Sequence, residues 1–180
     1  RPMQTALVRT LVDEAYTLVS GARGSSNDFG QEAIDTLLKR MSDDEGKFVV
    51  IAAGYAREMK ALVDSNSGLA SRFSAFVDFA DYDGPQLTRI FEIFAEKQGF
   101  RVAPEARAEL LGRMEALYAA RDANFGNART VKRVFEQVEA RLSSRVLRLK
   151  REGMALEALR EAANTIALED LGPRGEGVQR

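Results

Sequence analysis

A short apolar stretch near the start of the chain ends in two adjacent carboxylates. Leu11 and Val12 are typical of a β-strand, and Asp13 and Glu14 follow them directly. In open α/β sheets, ligands bind in the crevice outside the carboxyl ends of the strands. The order of these residues therefore predicts a strand that presents two acids where a site for a metal ion and a nucleotide would lie.

Two interpretations of the acid pair are open. In an enzyme that hydrolyses a nucleoside triphosphate, Asp13 would help to hold Mg²⁺, and Glu14 would orient and deprotonate the attacking water. In the alternative, the pair is a solvated acidic turn that follows a buried strand. An Asp-Glu dipeptide considered alone favours the second interpretation, because short motifs often occur without the function.

The composition excludes several classes of site. The chain contains no cysteine and no histidine, so thiol chemistry, a Ser/His/Asp triad and histidine-ligated zinc are excluded within it. Carboxylates, arginines and tyrosines must therefore carry any chemistry. The formal net charge of −1 gives no drive toward nucleic acid or an anionic membrane, so we expect neither as a partner. Because no apolar run reaches the length of a membrane span, we expect a cytoplasmic protein.

An ordered series of blocks that starts with the acid pair changes the balance between the two interpretations. In chain order, the blocks are Asp13-Glu14-Ala15-Tyr16, Asp28-Phe29-Gly30-Gln31-Glu32-Ala33-Ile34, Val49-Val50-Ile51-Ala52-Ala53-Gly54-Tyr55, Ser67-Gly68-Leu69-Ala70-Ser71-Arg72-Phe73 and Phe125-Gly126-Asn127-Ala128-Arg129. This series resembles the AAA+ ATPases of the group that contains the sporulation stage V protein K type, the red-type rubisco activase and the type VII secretion ATPase. An ordered set is far more specific than any one of its members.

The resemblance implies ATP and Mg²⁺ as cofactors of the complete protein. Asp13 would then bind the metal, and Glu14 would be the catalytic base. Tyr55 aligns with the "sensor 1" position, which usually offers a hydrogen-bond donor to the γ-phosphate or the attacking water. A tyrosine hydroxyl can donate such a bond, but packing between a strand and a helix accounts for Tyr55 equally well.

Two arginines complete the set of site residues that the resemblance implies. Arg72 occupies the arginine-finger segment, which would act on the nucleotide of a neighbouring subunit. Arg129 occupies the "sensor 2" position, from which it would reach the γ-phosphate from the lid. For Arg72 the alternative is a surface ion pair. For Arg129 the alternatives are an ion pair with a nearby acid or a solvated side chain.

The implied fold is an α/β P-loop NTPase (AAA+) fold that lacks its first two strands and is followed by an all-helical lid subdomain. We expect a partial α/β subdomain over residues 1–82, the lid over residues 83–171 and a flexible tail over residues 172–180. Helical periodicity supports the lid assignment. The Gly- and Ser-rich stretch of residues 20–28 predicts an exposed loop, which in the family faces the central pore of a ring.

The sheet of this family has the strand order 5-1-4-3-2, and the chain offers candidates for strands 3, 4 and 5 only. The apolar runs Phe48–Ala53 and Phe76–Phe79 would be strands 4 and 5. Strand 5 would then lack its neighbour, which predicts an exposed apolar face. We expect the helical part to fold well, and the α/β part to be completed by another chain, to pair in another way or to self-associate.

The phosphate-cradling loop G-x-x-x-x-G-K-[ST] of P-loop enzymes does not occur in the chain. Gly46-Lys47 is followed by Phe48 and does not replace it. Without that loop, we expect the chain alone to bind ATP poorly and to hydrolyse none. The leading hypothesis is an ATPase that forms a homo-oligomeric ring, expected to be a hexamer, and remodels or threads a protein substrate. The alternative is a non-catalytic interaction module derived from such an ATPase.

Overall fold

The computed structural model describes residues 8–20, 29–44, 47–122 and 125–174 of the chain. These residues form two compact units, one within Arg1–Phe79 and the other within Ala80–Arg180. Most of the predicted loop over residues 20–28 and the end of the predicted tail, residues 175–180, lie outside the described residues. Within the described ranges, no helix is both long enough and apolar enough to cross a membrane.

The first unit is built around a pair of parallel strands. Its elements are β1 (Val8–Val12), α1 (Thr17–Ser20), α2 (Phe29–Asp43), β2 (Phe48–Ala52), α3 (Ala56–Asp64) and α4 (Ser67–Arg72). In the parallel pair, Val8 lies opposite Phe48 and Val12 lies opposite Ala52. The turns that follow β1 and β2 therefore emerge at the same edge of the sheet, which is where the sequence predicts the site.

One face of this sheet is covered and the other is bare. The covered side belongs to a small core whose fully buried members are Ala15, Ile34, Leu62 and Leu69. On the other side, Leu11 is 67% exposed and Ile51 is 52% exposed. Parallel sheets normally bury both faces, which is why their strands are rich in apolar residues. The predicted exposed apolar face is therefore confirmed.

The predicted strand at Phe76–Phe79 does not form. Described residues 73–83 contain no helix and no strand, and the Phe79 side chain is 92% exposed. A strand is stabilised by hydrogen bonds to a neighbouring strand, and isolated extended segments have none. The apolar composition of this segment is strand-like, but β1 and β2 pair only with each other among the described strands of this unit.

Asn66, Ser67 and Gly68 are residue types that indicate a turn, and here they begin helix α4. Asn66 is its N-cap, and the Asn66 side-chain oxygen accepts hydrogen bonds from the backbone N–H groups of Gly68 at 2.8 Å and Leu69 at 3.4 Å. An asparagine at this position satisfies amides that the first helical turn leaves unpaired. The same residues that indicate a turn can therefore begin a helix.

The second unit is a helical lid, as the sequence predicts. Its elements are α5 (Gly84–Lys97), β3 (Arg101–Val102), α6 (Pro104–Ala119), α7 (Ala128–Arg151), α8 (Leu156–Ala163), β4 (Thr165–Ile166) and a 3₁₀ turn (Leu168–Leu171). Asp83 and Gln86 form a reciprocal capping box at the start of α5. The ring of Phe135 packs in the core with its centroid 5.4 Å from that of Phe91. The short parallel pair of β3 with β4 was not predicted, because two-residue strands leave no periodic signal.

Two arginines, Arg145 and Arg113, hold the last part of the lid in place through hydrogen bonds. Arg145 donates to both carboxylate oxygens of Asp170 at 2.8 Å, and both side chains are buried. Hydrogen bonding to Asp170 raises the pKa of Arg145 further above its ordinary value. Arg113 donates to the carbonyl oxygens of Leu171 and Gly172, both at 2.6 Å. These bonds compensate groups that would otherwise be buried without partners.

Candidate functional site

The acid pair lies in a tight turn directly after β1. Asp13 and Glu14 are both exposed, and the Glu14 backbone N–H donates to the Asp13 Oδ1 atom at 3.0 Å. Glu14 has a left-handed backbone with φ of 49°. Its carbonyl oxygen accepts hydrogen bonds from Thr17, from the backbone N–H at 2.9 Å and from the Oγ1 hydroxyl at 2.8 Å. The turn therefore presents two carboxylates at the strand end while Thr17 holds its backbone.

Backbone hydrogen bonds join this turn to the end of β2. The Ala53 N–H donates to the Val12 carbonyl at 2.9 Å, and the Ala15 N–H donates to the Ala53 carbonyl at 3.0 Å. These bonds extend the parallel ladder by one step beyond the strands. The acid turn and the segment that leads to Tyr55 are consequently held together at one edge of the sheet.

Tyr16 connects the acid turn to Tyr55. The two rings have centroids 6.1 Å apart at an interplanar angle of 43°. Gly54 directly precedes Tyr55, and a Cβ atom at that position would lie 2.8 Å from the Cδ1 atom of the Tyr16 ring. Burial and, next, the Glu14 carboxylate raise the pKa of Tyr16 above its ordinary value. No role was predicted for Tyr16, although it belongs to the first matching block.

Arg72 is the last residue of α4 and is bound to α2. Its Nη2 and Nε atoms donate to the Ser42 Oγ atom at 2.7 and 3.1 Å, and its Nη1 atom donates to the Gly68 carbonyl at 3.3 Å. Arg72 forms no ion pair within the described part of the chain, so its charge is not neutralised there. The surface ion pair that was the alternative to an arginine finger is therefore not seen among the described residues. None of these hydrogen bonds reaches the acid turn.

Arg129 belongs to the second unit and lies in the first turn of α7. Its backbone N–H donates to the Gly126 carbonyl at 2.8 Å, and its side chain is exposed. Across residues 8–174, as far as they are described, the guanidinium has no ion pair. Of the alternatives to a sensor role, the structure shows the solvated side chain and not the ion pair. A cation at the positive end of a helix dipole is unfavourable unless an anion binds near it.

The donor set at the acid turn fits a magnesium ion. The described residues contain no group of three or more acidic, histidine or cysteine side chains placed to hold a metal ion together. Mg²⁺ does not require such a cluster, because it commonly binds one or two carboxylates and completes its coordination with water and substrate phosphates. Exposed Asp13 and Glu14 provide that number of carboxylates at one turn.

The structure thus places three of the five predicted site residues at one edge of the sheet: Asp13, Glu14 and Tyr55. Arg72 is in the same unit with separate contacts, and Arg129 is in the other unit. Ser42, which accepts hydrogen bonds from Arg72, was not predicted, because no local pattern links residues 30 positions apart. The hydrogen bonds of the Asn127 side chain to Asp81 and Tyr82 were not predicted either, although Asn127 was part of a matching block.

Comparison with known proteins gives the family. A family model described as an AAA lid domain matches residues 83–180. The chain is 36% identical over 166 residues to the stage V sporulation protein K of Bacillus subtilis (strain 168). The aligned region is 92% of the chain and 49% of that relative. It is 42% identical over 139 residues to the ESX-3 secretion system protein EccA3 of Mycolicibacterium smegmatis (strain ATCC 700084 / mc(2)155). This second aligned region is 71% of the chain and 22% of that relative.

A second EccA3, from Mycobacterium tuberculosis (strain ATCC 25618 / H37Rv), is 35% identical over 184 residues, covering 94% of the chain and 28% of the relative. The chain thus spans about half of the length of the sporulation protein and less of the secretion proteins. The matches to both kinds of relative agree with the series of motifs that starts at the acid pair. The chain therefore belongs to the AAA+ ATPase family and includes that family's helical lid domain.

Proposed function

We propose that the chain is part of a cytoplasmic AAA+ motor that hydrolyses ATP to remodel or thread a protein partner. The observation that carries this proposal is the acid turn. It presents Asp13 and Glu14 at the carboxyl end of a parallel strand, and it is hydrogen-bonded to the segment that leads to Tyr55. This is the arrangement that nucleotide chemistry requires at the edge of an α/β sheet. The family membership supports it.

The acid turn divides the chemistry between two carboxylates. Asp13 would hold Mg²⁺, and Glu14 would accept the proton of the attacking water. When bound, the metal ion neutralises charge on the phosphate oxygens. Thr17 donates two hydrogen bonds to the Glu14 carbonyl, which hold the left-handed backbone from which the Glu14 side chain extends. Tyr55 would donate a hydrogen bond to the γ-phosphate or to the water.

The two arginines would supply positive charge from elsewhere. Arg72 is exposed and carries no ion pair among the described residues, so its positive charge is not neutralised there. To act on the nucleotide of a neighbouring subunit, its guanidinium would exchange the hydrogen bonds to Ser42 and Gly68 for bonds to phosphate oxygens. This role requires a ring of identical subunits, which we expect to be a hexamer. Arg129 would reach the γ-phosphate from the lid, where an anion would offset its unfavourable position at the start of α7.

A second candidate function is a non-catalytic interaction module. The 180 residues contain no G-x-x-x-x-G-K-[ST] loop, and a chain without backbone amides to cradle the phosphates should bind ATP poorly. The bare sheet face around Leu11 and Ile51 also offers apolar surface for a partner. In this alternative, the acid turn and both arginines would be inherited features without a catalytic role.

The test compares this chain with a version extended upstream until it includes a phosphate-binding loop. We expect ATP turnover only in the longer chain, and Glu14→Gln should lower it by about 10²–10⁴-fold while ATP binding remains. Glu32→Gln, which changes an exposed acid of α2, is the matched control and should leave turnover unchanged. A longer chain that binds no ATP would contradict the motor and favour the interaction module.

A further inference from the structure

Asn127, which directly precedes helix α7, has an unusual backbone conformation. Its φ is 46° and its ψ is −120°, and Glu14 is the only other non-glycine residue with positive φ among those described. Such conformations are energetically unfavourable and persist only where the surroundings enforce them. Glu14 belongs to the acid turn, and Asn127 lies two positions before Arg129. Both outliers therefore fall in segments that the motifs assign to the site.

The side chain of Asn127 explains what enforces its backbone. Its Nδ2 atom donates to the Asp81 Oδ1 atom at 2.7 Å, and its Oδ1 atom accepts from the Tyr82 backbone N–H at 2.9 Å. We call this set of Asp81, Tyr82 and Asn127 the Asn127 clasp. Arg121 adds an ion pair to the second oxygen of Asp81 at 3.4 Å, and its guanidinium stacks 3.7 Å from the centroid of the Tyr118 ring.

The clasp joins two segments that are 45 residues apart in the sequence. Asp81 and Tyr82 directly precede Asp83, the cap of α5, at the start of the second unit. Asn127 directly precedes α7, and its carbonyl accepts from the Val131 N–H at 3.1 Å within the first helical turn. A displacement of Asp81 and Tyr82 would therefore pull on the first turn of α7.

The neighbouring glycine leaves this turn little freedom. A Cβ atom at Gly126 would lie 2.8 Å from the Thr130 Oγ1 atom. Gly126 therefore packs closely against the first turn, and its carbonyl accepts the Arg129 N–H. Arg129 is held at its backbone by the same short loop that Asn127 closes, while its side chain extends into solvent.

We propose that Asn127 is a positioning residue, which ties Asp81 and Tyr82 to the start of α7 and so fixes where Arg129 is presented. The clasp transmits a movement of the segment that enters the lid to the backbone of Arg129. The purpose of this coupling rests on the proposed function, because Arg129 would act on ATP. The hydrogen bonds of the clasp do not depend on the proposed ATPase function, so they are tested separately.

The first test is amide hydrogen exchange in this chain. Asn127→Gly removes both side-chain hydrogen bonds but tolerates a positive φ, so it isolates the clasp from the backbone strain. We expect the Tyr82 amide to exchange about tenfold faster, because the loss of about 1.4 kcal/mol of hydrogen-bonding free energy corresponds to a tenfold change in the opening equilibrium. The matched control is Asn164→Gly at the end of α8, because the Asn164 side chain has no hydrogen bond within the described residues. Unchanged exchange at Tyr82 in Asn127→Gly would overturn the proposal.

A donor–acceptor swap makes this test stricter. Asn127→Asp keeps the acceptor for Tyr82 but brings a second carboxylate against Asp81, so protection of Tyr82 should fall. Combining it with Asp81→Asn places an amide donor at position 81 and should restore that protection. A role in general stability alone does not predict rescue by the second change. Failure of the double variant to recover protection would contradict the clasp.

The second test measures ATP turnover in the longer chain. We expect Asn127→Gly to lower turnover at saturating ATP by about tenfold, the same direction as Arg129→Ala, and the swap to restore it. Asn164→Gly should have no effect. Normal turnover in Asn127→Gly would overturn the positioning role while the ATPase proposal stands. If the longer wild type hydrolyses no ATP, the proposed function fails, and the exchange experiments still decide whether the clasp exists.

Discussion

At the scale of single residues, two non-glycine residues of the described chain have a strained backbone, and both lie in segments that the motifs assign to the proposed site. Glu14 and Asn127 share a positive φ, and each is held by specific bonds, from Thr17 to the Glu14 carbonyl and from the Asn127 side chain to Asp81 and Tyr82. Such conformations persist only where the surrounding contacts enforce them. At Glu14 the strained backbone carries the proposed base.

The strain at Glu14 can be measured. Glu14→Gly and Glu14→Ala both remove the carboxylate, but only glycine adopts the left-handed region without steric cost. We expect the glycine variant to be more stable than the alanine variant by about 1 kcal/mol. Hydrogen exchange at the Ala15 and Ala53 amides, which bond across the turn, reports this difference. Equal protection in the two variants would show that the turn is not strained.

At the scale of elements, the lid depends on close approaches between helices. Gly84 begins α5 where Glu115 of α6 passes, and a Cβ atom there would meet the Glu115 Cγ atom at 2.6 Å and the Cα atom at 3.0 Å. Gly112, also in α6, has nothing within 4 Å of the same position. The two glycines therefore have opposite steric surroundings: a Cβ atom at position 84 would collide with α6, and one at position 112 would meet open space.

These glycines predict opposite effects of alanine. Gly84→Ala should destabilise the lid by about 1–3 kcal/mol, because backbone atoms of α6 would have to shift. Gly112→Ala should stabilise it by about 1 kcal/mol, because alanine is the better helix former and nothing obstructs it. Chemical denaturation of the two variants beside the wild type checks both signs. A stabilising Gly84→Ala would contradict the packing described for α5 and α6.

The closing segment of the lid gives a second prediction at this scale. Arg145→Met leaves the buried Asp170 carboxylate, 1% exposed, without its charged partner and with only the Ala167 N–H donating to it, and should cost about 3–5 kcal/mol of unfolding free energy. Arg148→Met is the control, because its ion pair with Glu169 is more than half exposed and should contribute less than about 1 kcal/mol. Denaturation midpoints measure both. Equal losses in the two variants would contradict the role of the buried pair.

At the scale of the whole molecule, the two units differ in how completely they cover their apolar surface. The lid buries a continuous core, in which Phe91, Leu110 and Val131 are fully covered. The first unit leaves one sheet face bare, and the extended segment that contains Phe76 and Phe79 is exposed. The first unit is therefore the part whose stability most depends on additional contacts.

The sequence predicts what depends on local pattern. The end of β1 at the acid pair, the parallel neighbour β2 and the helices of the lid all follow from apolar periodicity and an ordered set of motifs. The prediction of a strand at Phe76–Phe79 was wrong. A strand forms only beside a neighbouring strand, and the residues of the segment itself do not determine whether that neighbour is present. The Asn127 clasp and the contact of Arg72 with Ser42 were missed because they join residues far apart in the chain.

The measurement that tests the central proposal most directly is a mixing experiment with the longer chain. Glu14→Gln lacks the proposed base, and Arg72→Ala lacks the arginine that would act across a subunit boundary, so each variant alone should be inactive. A mixture should recover about a quarter of wild-type ATP turnover, because random assembly pairs an intact Glu14 with a neighbour's intact Arg72 at one site in four. A mixture no more active than its components would contradict an ATPase site shared between subunits.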